Sequence, residues 1–266
     1  MNASGRKATG CIVTYNNADN IERVVESILR NTEGSDFRLY ICDNMSTDNT
    51  ADIVEKKFPQ VTVIRNKDNK GFGHGHNAVI ELLDSEYHFI INPDIYLTDD
   101  AVSEFIEYFD LHSEVVMAVP KLLFEDGSEQ FTPKRIPTVR YMMGGRLEKL
   151  GNPFKKWRDE YTMRNAPPSE PVECGFCSGC FICIRTEVFK KAGGFDERYF
   201  LYSEDADLTR EAKKYGRTMY LPQIAVTHLW ERAYMKSPKY FFIQLSSMFK
   251  YFAKWGLDPN KNIGEK

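Results

Sequence analysis

The sequence predicts an α/β fold with a mostly parallel central sheet flanked by helices. Short apolar runs of strand length alternate along the chain with segments whose apolar residues recur at helical spacing. Strands that alternate with helices favour a parallel sheet that is covered on both faces. The length of 266 residues fits one domain with elaborations. We therefore expect ligands to bind beyond the carboxyl ends of the strands.

The predicted elements alternate from the amino end onward. Strands are predicted at residues 9–14, 37–42, 61–65, 88–91, 181–184 and 224–227. Helices are predicted at residues 21–29, 51–58, 77–83, 186–191, 207–215 and 239–255. Periodicity fades between about residues 131 and 171, where basic and aromatic residues mix, and we interpret this stretch as an insertion.

Composition and charge describe an ordinary globular protein. Hydrophobic residues make up 42% and charged residues 27% of the chain, and the net charge of −3 does not indicate a nucleic-acid partner. No apolar run approaches the roughly 18 residues that a membrane-spanning helix needs. The first ten residues lack the apolar core of a signal peptide. We expect a cytoplasmic protein.

Polar residues follow the ends of the second and fourth predicted strands. Asp43 ends the second strand, where its carboxylate can accept the imide hydrogen of a uracil or thymine ring. Ser46 and Asp48, close behind it, fit a turn and a helix cap equally well. Asp94 follows the fourth strand in Asn92-Pro93-Asp94, a position suited to Mg²⁺ or Mn²⁺. These strand ends predict a nucleotide site beside a cation.

His228 is a candidate second cation ligand because it follows a strand-like run. An imidazole ligand favours Mn²⁺ over Mg²⁺. A solitary histidine is commonly structural, so this residue alone decides nothing.

Three acidic residues lie within Glu204-Asp205-Ala206-Asp207, immediately before the predicted helix 207–215. Like charges so close together raise the pKa of at least one carboxyl, which suits a general base. The alternative is that the acids only complement the dipole at a helix N-terminus.

Glycines at 71, 73 and 75 join the third strand to its helix. A dinucleotide-binding loop is one interpretation, but His76 stands where that fingerprint needs its third glycine. Close approach of the backbone to a nucleotide sugar explains the glycines equally well.

Four cysteines follow one another at even spacing, at Cys174, Cys177, Cys180 and Cys183. This run superficially suggests an iron–sulfur or zinc site. Residues three apart in a strand point to opposite faces, so the spacing disfavours a common site. We interpret the four thiols as small buried apolar groups.

Together these segments resemble family 2 glycosyltransferases, and in particular their rhamnosyltransferase-like branch. The segments that carry the resemblance are Val13-Thr14-Tyr15-Asn16, Asp43-Asn44-Met45-Ser46-Thr47-Asp48, Gly71-Phe72-Gly73, Asn92-Pro93-Asp94, Ser178-Gly179, Phe195-Asp196-Glu197 and Glu204-Asp205-Ala206-Asp207-Leu208. The resemblance covers about residues 9–255. It implies a GT-A fold, inversion at the anomeric carbon and a nucleotide-sugar donor such as dTDP-rhamnose.

The resemblance also implies residue roles. Asp43 would bind the base, Asp94 and His228 a divalent cation (Mn²⁺ or Mg²⁺), and Asp205 would deprotonate the acceptor, with Glu204 and Asp207 shaping that site. The implied donor-binding residues are Thr14, Tyr15, Asn16, Asp43, Asn44, Lys70, Gly71, Phe72, Asn77, Asn92, Ser178 and Gly179. Many relatives have Asp-x-Asp where this chain has Asn92-Pro93-Asp94, which removes one charge from the cation site.

The resemblance further implies a division of the single domain 1–266. A nucleotide-sugar half spans about residues 9–125, an acceptor half about 126–230 with a basic insertion at 131–171, and a C-terminal helical segment 231–266. The expected acceptor is a glycan or a lipid-linked saccharide in cell-surface polysaccharide synthesis. The aromatic and basic final helix either rests peripherally on the inner face of an anionic membrane or packs on the core.

Two other functions share some of these features. A sugar-phosphate nucleotidyltransferase has a similar layout, but no glycine-rich loop with a basic residue lies near the amino end of the first strand. A non-catalytic scaffold is disfavoured because Asp94, Asp205 and His228 are all present.

Overall fold

The computed structural model describes residues 6–132, 134–230 and 238–258. The strands are β1 (Arg6–Thr14), β2 (Phe37–Asp43), β3 (Thr62–Arg65), β4 (Ser85–Ile91), β5 (Ile95–Tyr96), β6 (Val115–Leu123), β7 (Val172–Glu173), β8 (Phe181–Arg185) and β9 (Arg217–His228). The α-helices are α1 (Ile21–Asn31), α2 (Thr50–Lys57), α3 (Phe72–Asn77), α4 (Ala101–Leu111), α5 (Val139–Leu147), α6 (Phe154–Thr162), α7 (Thr186–Lys191), α8 (Glu204–Ala212) and α9 (Pro238–Trp255). Short 3₁₀ turns occupy Ile80–Leu82 and Glu148–Leu150.

One sheet joins all the described strands in the order β3-β2-β1-β4-β8-β6-β9-β5, with β7 paired to β9. Strands β1 to β4 are parallel, β8 runs against β4 and β6, and β6 is parallel to β9. Strands β1 to β4, β6 and β9 therefore share one direction. The predicted α/β fold with a mostly parallel sheet is confirmed.

The sheet is buried on both faces, which explains why its strands read as continuous apolar runs. Ile12, Phe89 and Ile91 belong to one core cluster. Cys11 and Ile90, their neighbours along the strands, belong to a second cluster on the opposite face. Successive side chains of a strand point to opposite faces, so each strand contributes to both cores.

Two helices begin earlier than predicted. Helix α3 starts at Phe72, inside the glycine-rich segment, because close packing of its glycines on other elements outweighs their low helix propensity. Helix α8 starts at Glu204, so the acidic residues lie in its first turn rather than before it. Residues 95–130, for which no element is predicted, hold β5, α4 and β6.

The insertion 131–171 contains two helices that periodicity does not reveal. Tyr141 of α5 stacks on Tyr161 of α6 with ring centroids 5.0 Å apart. Glu160 accepts hydrogen bonds from Arg140 and from the Tyr141 hydroxyl. Gly144 allows α6 to approach, because an added Cβ would lie 2.8 Å from the Cβ of Trp157. Hydrogen bonds and ring stacking thus hold α5 against α6, where an amphipathic helix would use a stripe of apolar side chains.

Helix α9 packs through one face and exposes the other. Ser247, Tyr251 and Trp255 are buried, whereas Phe242 and Phe249 are 64% and 69% exposed. Among the described residues, no helix combines the length and apolar character needed to cross a bilayer. Of the predicted C-terminal segment 231–266, residues 231–237 and 259–266 lie outside the described residues. The division of the domain into halves stays a prediction.

Candidate active site

The carboxyl ends of β1 and β2 bring Thr14 beside Asp43 in the sheet register. Asp43 is buried, and its carboxylate accepts hydrogen bonds from the Thr14 hydroxyl at 3.0 Å and from the Ser46 N–H at 3.0 Å, as well as from the Ser46 hydroxyl. A carboxylate offers about four acceptor positions, so one position remains for a ligand donor. Asp48 accepts from the N–H of Ala18 and from that of Thr50, the first residue of α2, although Asn49 and not Asp48 stands at the N-cap position.

Asn44 joins the β2 end to the glycine-rich segment. Its amide donates to the Gly71 carbonyl at 3.0 Å. Gly71 has a φ of 106°, and an added Cβ would lie 2.0 Å from the carbonyl oxygen of Phe200. The Phe72 N–H donates to that same carbonyl. The approach of the Phe200 backbone therefore requires glycine here, with no dinucleotide needed to explain it.

Asp94 and His228 meet at the edge formed by β4, β5 and β9. Asp94 Oδ2 lies 3.2 Å from His228 Nε2, and both side chains are largely buried. Burial alone would lower the pKa of His228, but the neighbouring Cys180 and Asp94 side chains raise it to about 10. The second oxygen, Asp94 Oδ1, is buried and has no hydrogen-bond partner among the described residues.

These two side chains fit a divalent cation that displaces the Nε2 proton, which the raised pKa of His228 otherwise retains. A hard cation would give Asp94 Oδ1 the partner it lacks, and imidazole favours Mn²⁺. The described residues contain no group of three or more potential His, Cys, Asp or Glu ligands. Donor phosphate oxygens and water would therefore fill the remaining coordination positions.

Gln130 orients the histidine. Its side-chain N–H groups donate to the carbonyl oxygens of Leu123 at 3.1 Å and His228 at 2.7 Å. Gln130 Oε1 consequently faces His228 Nδ1, 2.8 Å away, and accepts its hydrogen. This contact directs Nε2 toward Asp94, as ligand histidines require.

The first turn of α8 carries Asp205 next to the segment before β8. The Gly179 N–H donates to Asp205 Oδ2 at 2.9 Å, and the Ala206 N–H donates to Oδ1 at 2.9 Å. An added Cβ on Gly179 would lie 3.3 Å from Asp205 Cβ and 3.6 Å from the Phe72 ring. Burial raises the pKa of Asp205 to about 6, against the two N–H donors that lower it. Such a carboxylate is ionised yet basic near neutral pH.

The other two acids of α8 have different surroundings. Burial, and then the charge of Asp205, raise the pKa of Glu204 to about 8. Asp207 accepts from Trp255 Nε1 at 2.7 Å and from Lys254 Nζ at 2.8 Å. Asp207 therefore anchors the C-terminal helix to α8, which is a different task from proton transfer.

The remaining predicted donor-site residues divide into two groups. Tyr15 is exposed, and Asn16 accepts from the Thr47 N–H, so both line the same edge as Asp43. Asn92 donates its N–H to the Cys180 carbonyl, and Ser178 lies in the same loop. The first pair lies beyond the ends of β1 and β2, and the second lies where the end of β4 meets the start of β8.

Two predicted residues are engaged elsewhere. Lys70 pairs with Asp68 at 3.0 Å on the surface. The side-chain amide of Asn77 donates hydrogen bonds to the Phe195 carbonyl and to the Glu197 carboxylate, and it accepts one from the Phe195 N–H. The functional roles of these two, like those of the other site residues, stay predictions.

Sequence reasoning missed Gln130. It does not follow a predicted strand, and it stands at no fixed spacing from another site residue. It acts through contacts with the distant residues Leu123 and His228, so no local signal identifies it. Phe200, by contrast, lies in the segment Phe200-Leu201-Tyr202, whose aromatic residues predict a lined site before the acidic cluster.

The even cysteine run separates in space. Cys174 and Cys177 lie in one core cluster, with their sulfur atoms 3.5 Å apart, whereas Cys183 faces the opposite core. Cys180 lies beside Ser178 and His228.

Comparison with known proteins supplies the family. Residues 10–193 match the family model described as glycosyl transferase family 2. N-acetylglucosaminyl-diphospho-decaprenol L-rhamnosyltransferase of Mycobacterium tuberculosis is 29% identical over 81% of this chain and 74% of its own. Rhamnosyltransferase WbbL of Escherichia coli is 24% identical over 95% of both chains.

Solved structures share the fold at 14% identity. GalNAc-T7 with UDP, GalNAc and Mn²⁺ superposes with a TM-score of 0.67 over 96% of this chain, which spans about half (49%) of that chain. A mannosyltransferase from Pyrobaculum calidifontis with GDP-Man and Mn²⁺ gives a TM-score of 0.66 over 98% of this chain and 68% of its own. The predicted GT-A fold is thereby confirmed. This chain belongs to glycosyl transferase family 2 and is a glycosyltransferase.

Proposed function

We propose that this glycosyltransferase moves a sugar, with inversion and with the help of a divalent cation, from a nucleoside-diphosphate donor to a lipid-linked glycan. The observation that carries the proposal is the edge shared by three different groups. Asp43 has one acceptor position left, Asp94 has a buried oxygen with no hydrogen-bond partner in the described ranges, and Asp205 is a carboxylate with a raised pKa. A base pocket, a cation site and a general base are the three requirements of this reaction.

The donor would lie along the edge between Asp43 and Asp94. Asp43 would accept the imide hydrogen of the base, in line with the pyrimidine nucleotides expected from the sequence. Asp94 and His228 would hold Mn²⁺ or Mg²⁺, which neutralises negative charge on the departing diphosphate. The Gly179 N–H and the Phe72 ring, both next to Asp205, would bound the sugar pocket.

Asp205 would act as the general base. Its carboxylate takes the proton of the acceptor hydroxyl while that oxygen bonds to the anomeric carbon and the bond to the diphosphate oxygen breaks. Attack from the side opposite the leaving group inverts the configuration. Glu204, protonated near neutral pH, would keep a second negative charge away from this base.

We propose dTDP-rhamnose as the donor and rhamnose as the transferred sugar, because the two relatives reported above are named as rhamnosyltransferases. The mycobacterial relative is named for an N-acetylglucosaminyl-diphospho-decaprenol acceptor, which supports a polyprenol-linked saccharide here.

Incubation with dTDP-rhamnose, Mn²⁺ and N-acetylglucosaminyl-diphospho-polyprenol should add one deoxyhexose to the acceptor. Mass spectrometry of the extracted lipid measures the product. UDP-glucose and GDP-mannose are tested in parallel as alternative donors. Transfer from one of those donors but not from dTDP-rhamnose would reject rhamnose. Absence of transfer from every donor, together with no nucleotide-dependent rise in melting temperature, would reject the transferase proposal for this site.

Helix α9 supports peripheral contact with the membrane that carries such an acceptor. Phe242 and Phe249 stand two turns apart on its exposed side, with Lys239 and Lys250 nearby. A surface cleft of about 430 Å³ beside them is lined by Phe200, whose carbonyl also binds the Phe72 N–H. Exposed aromatic rings next to lysines match the surface of an anionic bilayer.

The double variant Phe242→Ser, Phe249→Ser should co-sediment with phosphatidylglycerol vesicles at least about tenfold more weakly than the parent, since burial of each ring contributes about 1.5–3 kcal/mol. Leu111→Ser is the control, because Leu111 is 73% exposed on α4. Equal sedimentation of the double variant and the parent would contradict membrane contact through α9.

A further inference from the structure

The cysteine run contains one pair of sulfur atoms in contact behind the wall of a cleft. Cys174 and Cys177 lie 3.5 Å apart, sulfur to sulfur, and are 2% and 0% exposed. Cys174 forms part of the wall of a cleft of about 700 Å³ together with Lys134, Arg135, Arg140 and Lys213. Peroxide can enter a cleft of this size and reach that wall. The segment 174–180 that carries the pair belongs to no helix or strand.

The electrostatics of the pair favour reaction at Cys174. The Cys177 thiol lowers the pKa of Cys174, and Lys213 and Lys134 lower it further against the effect of burial. Burial raises the pKa of Cys177 instead. Cys174 is therefore the readier of the two to lose its proton, a difference also found in reactive dithiols.

The pair is connected to the active site through two short routes. The Cys177 N–H donates to Thr209 Oγ1 at 3.0 Å, and that hydroxyl donates to the Asp205 carbonyl at 2.7 Å. Two residues beyond Cys177, the Gly179 N–H holds the Asp205 carboxylate at 2.9 Å. A shift of Cys177 therefore reaches the proposed base.

We propose that Cys174 and Cys177 form an oxidisable dithiol whose closure to a disulfide displaces the segment before β8 and slows glycosyl transfer. A disulfide needs the sulfurs at about 2.05 Å, so both must move from their present contact. The effect on transfer rests on the proposed function of Asp205, whereas formation of the disulfide does not.

The chemistry balances with hydrogen peroxide as the oxidant. The Cys174 thiolate attacks one peroxide oxygen, the O–O bond breaks, and Cys174 becomes a sulfenic acid as hydroxide leaves and takes a proton. The Cys177 sulfur then attacks the Cys174 sulfur and releases a second water. Two thiols and one peroxide thus give one disulfide and two waters, and dithiothreitol reverses the oxidation.

The chain contains a matched control pair. Cys11 and Cys42 also lie with sulfurs 3.6 Å apart, but both are fully buried between β1 and β2. Burial raises the pKa of Cys11, and neither residue lines the cleft. All four thiols are buried, but only Cys174 among them forms part of the cleft wall, so the Cys11–Cys42 pair should stay reduced under conditions that oxidise Cys174 and Cys177.

The test treats the folded, full-length protein with increasing peroxide, blocks free thiols with iodoacetamide, and maps peptides by mass. We expect a Cys174–Cys177 disulfide, seen as loss of two hydrogens, while Cys11 and Cys42 remain alkylatable after unfolding. We expect kcat to fall by about tenfold or more, since small displacements near reacting groups have effects of that size. Dithiothreitol should restore it, and Cys177→Ala should lose this reversible response.

Three results would overturn the proposal. One is the absence of the mapped disulfide in folded wild-type protein, which needs no variant to establish. Another is a disulfide at Cys11–Cys42 under the same treatment. The third is full transfer activity with the Cys174–Cys177 disulfide formed. If the reduced protein transfers no sugar, the transferase proposal fails separately, and the peptide map still decides whether the dithiol closes.

Discussion

Asp205→Asn should lower kcat by roughly 10²–10⁴-fold, the usual contribution of a general base, with the donor dissociation constant nearly unchanged. Asparagine keeps the size of the side chain, and its amide oxygen can still accept from the Gly179 N–H, but it cannot take the acceptor proton. Steady-state transfer rates and equilibrium binding of the Mn²⁺–nucleotide complex measure the two quantities separately.

Glu204→Gln is the matched control for this prediction. Burial and the charge of Asp205 raise the pKa of Glu204 to about 8, so glutamine imitates its state at neutral pH. We expect this variant to keep most of its activity. Loss of transfer in Glu204→Gln with retention in Asp205→Asn would move the role of base to Glu204.

Asp94→Ala should weaken Mn²⁺-dependent donor binding by about 100-fold or more, because it removes the carboxylate of the proposed cation pair and leaves the imidazole of His228 as its remaining ligand. Electron paramagnetic resonance of free Mn²⁺, in the presence of the nucleotide, measures the binding without catalysis. Asp99→Ala, an exposed residue a few positions later, should leave the signal unchanged. Unaltered Mn²⁺ binding in Asp94→Ala would contradict the cation site.

The same experiment tests the support of His228 by Gln130. Gln130→Met keeps a similar volume but removes the contact to Nδ1, and we expect Mn²⁺ affinity to fall by about 10–100-fold. Gln223→Met, an exposed change on the same strand as His228, is the control. Equal affinity in the two variants would mean that Gln130 has no positioning role.

The strand ends could be predicted from the sequence because their signal is local. Asp43 and Asp94 each follow an apolar run, and parallel strands carry such residues to one edge. The position of α9 relative to Asp207 could not be predicted, because the residues that contact this carboxylate are distant in sequence. Lys254 lies 47 positions and Trp255 48 positions after it.

The glycines of the third connection give a local signal that fits two interpretations. Gly71, Gly73 and Gly75 were open to a ligand interpretation, but their added Cβ atoms would meet Phe200, Phe195 and Val13. Composition alone cannot distinguish close approach of a ligand from close approach of the protein's own backbone. The helices of the insertion stayed hidden for a related reason, because cross-helix contacts such as Arg140 with Glu160 stabilise them in place of an apolar stripe.

The most direct test of the central claim, that Asp205 deprotonates the acceptor, is the pH dependence of kcat/KM for the acceptor, which reports the base before the acceptor binds. Burial raises the pKa of Asp205 to about 6, and the base works only when deprotonated, so kcat/KM should rise with pH through about 6 and then level off. The residual rate of Asp205→Asn should lack that inflection. A wild-type rate that is flat across this range, or an inflection that persists in Asp205→Asn, would contradict the account.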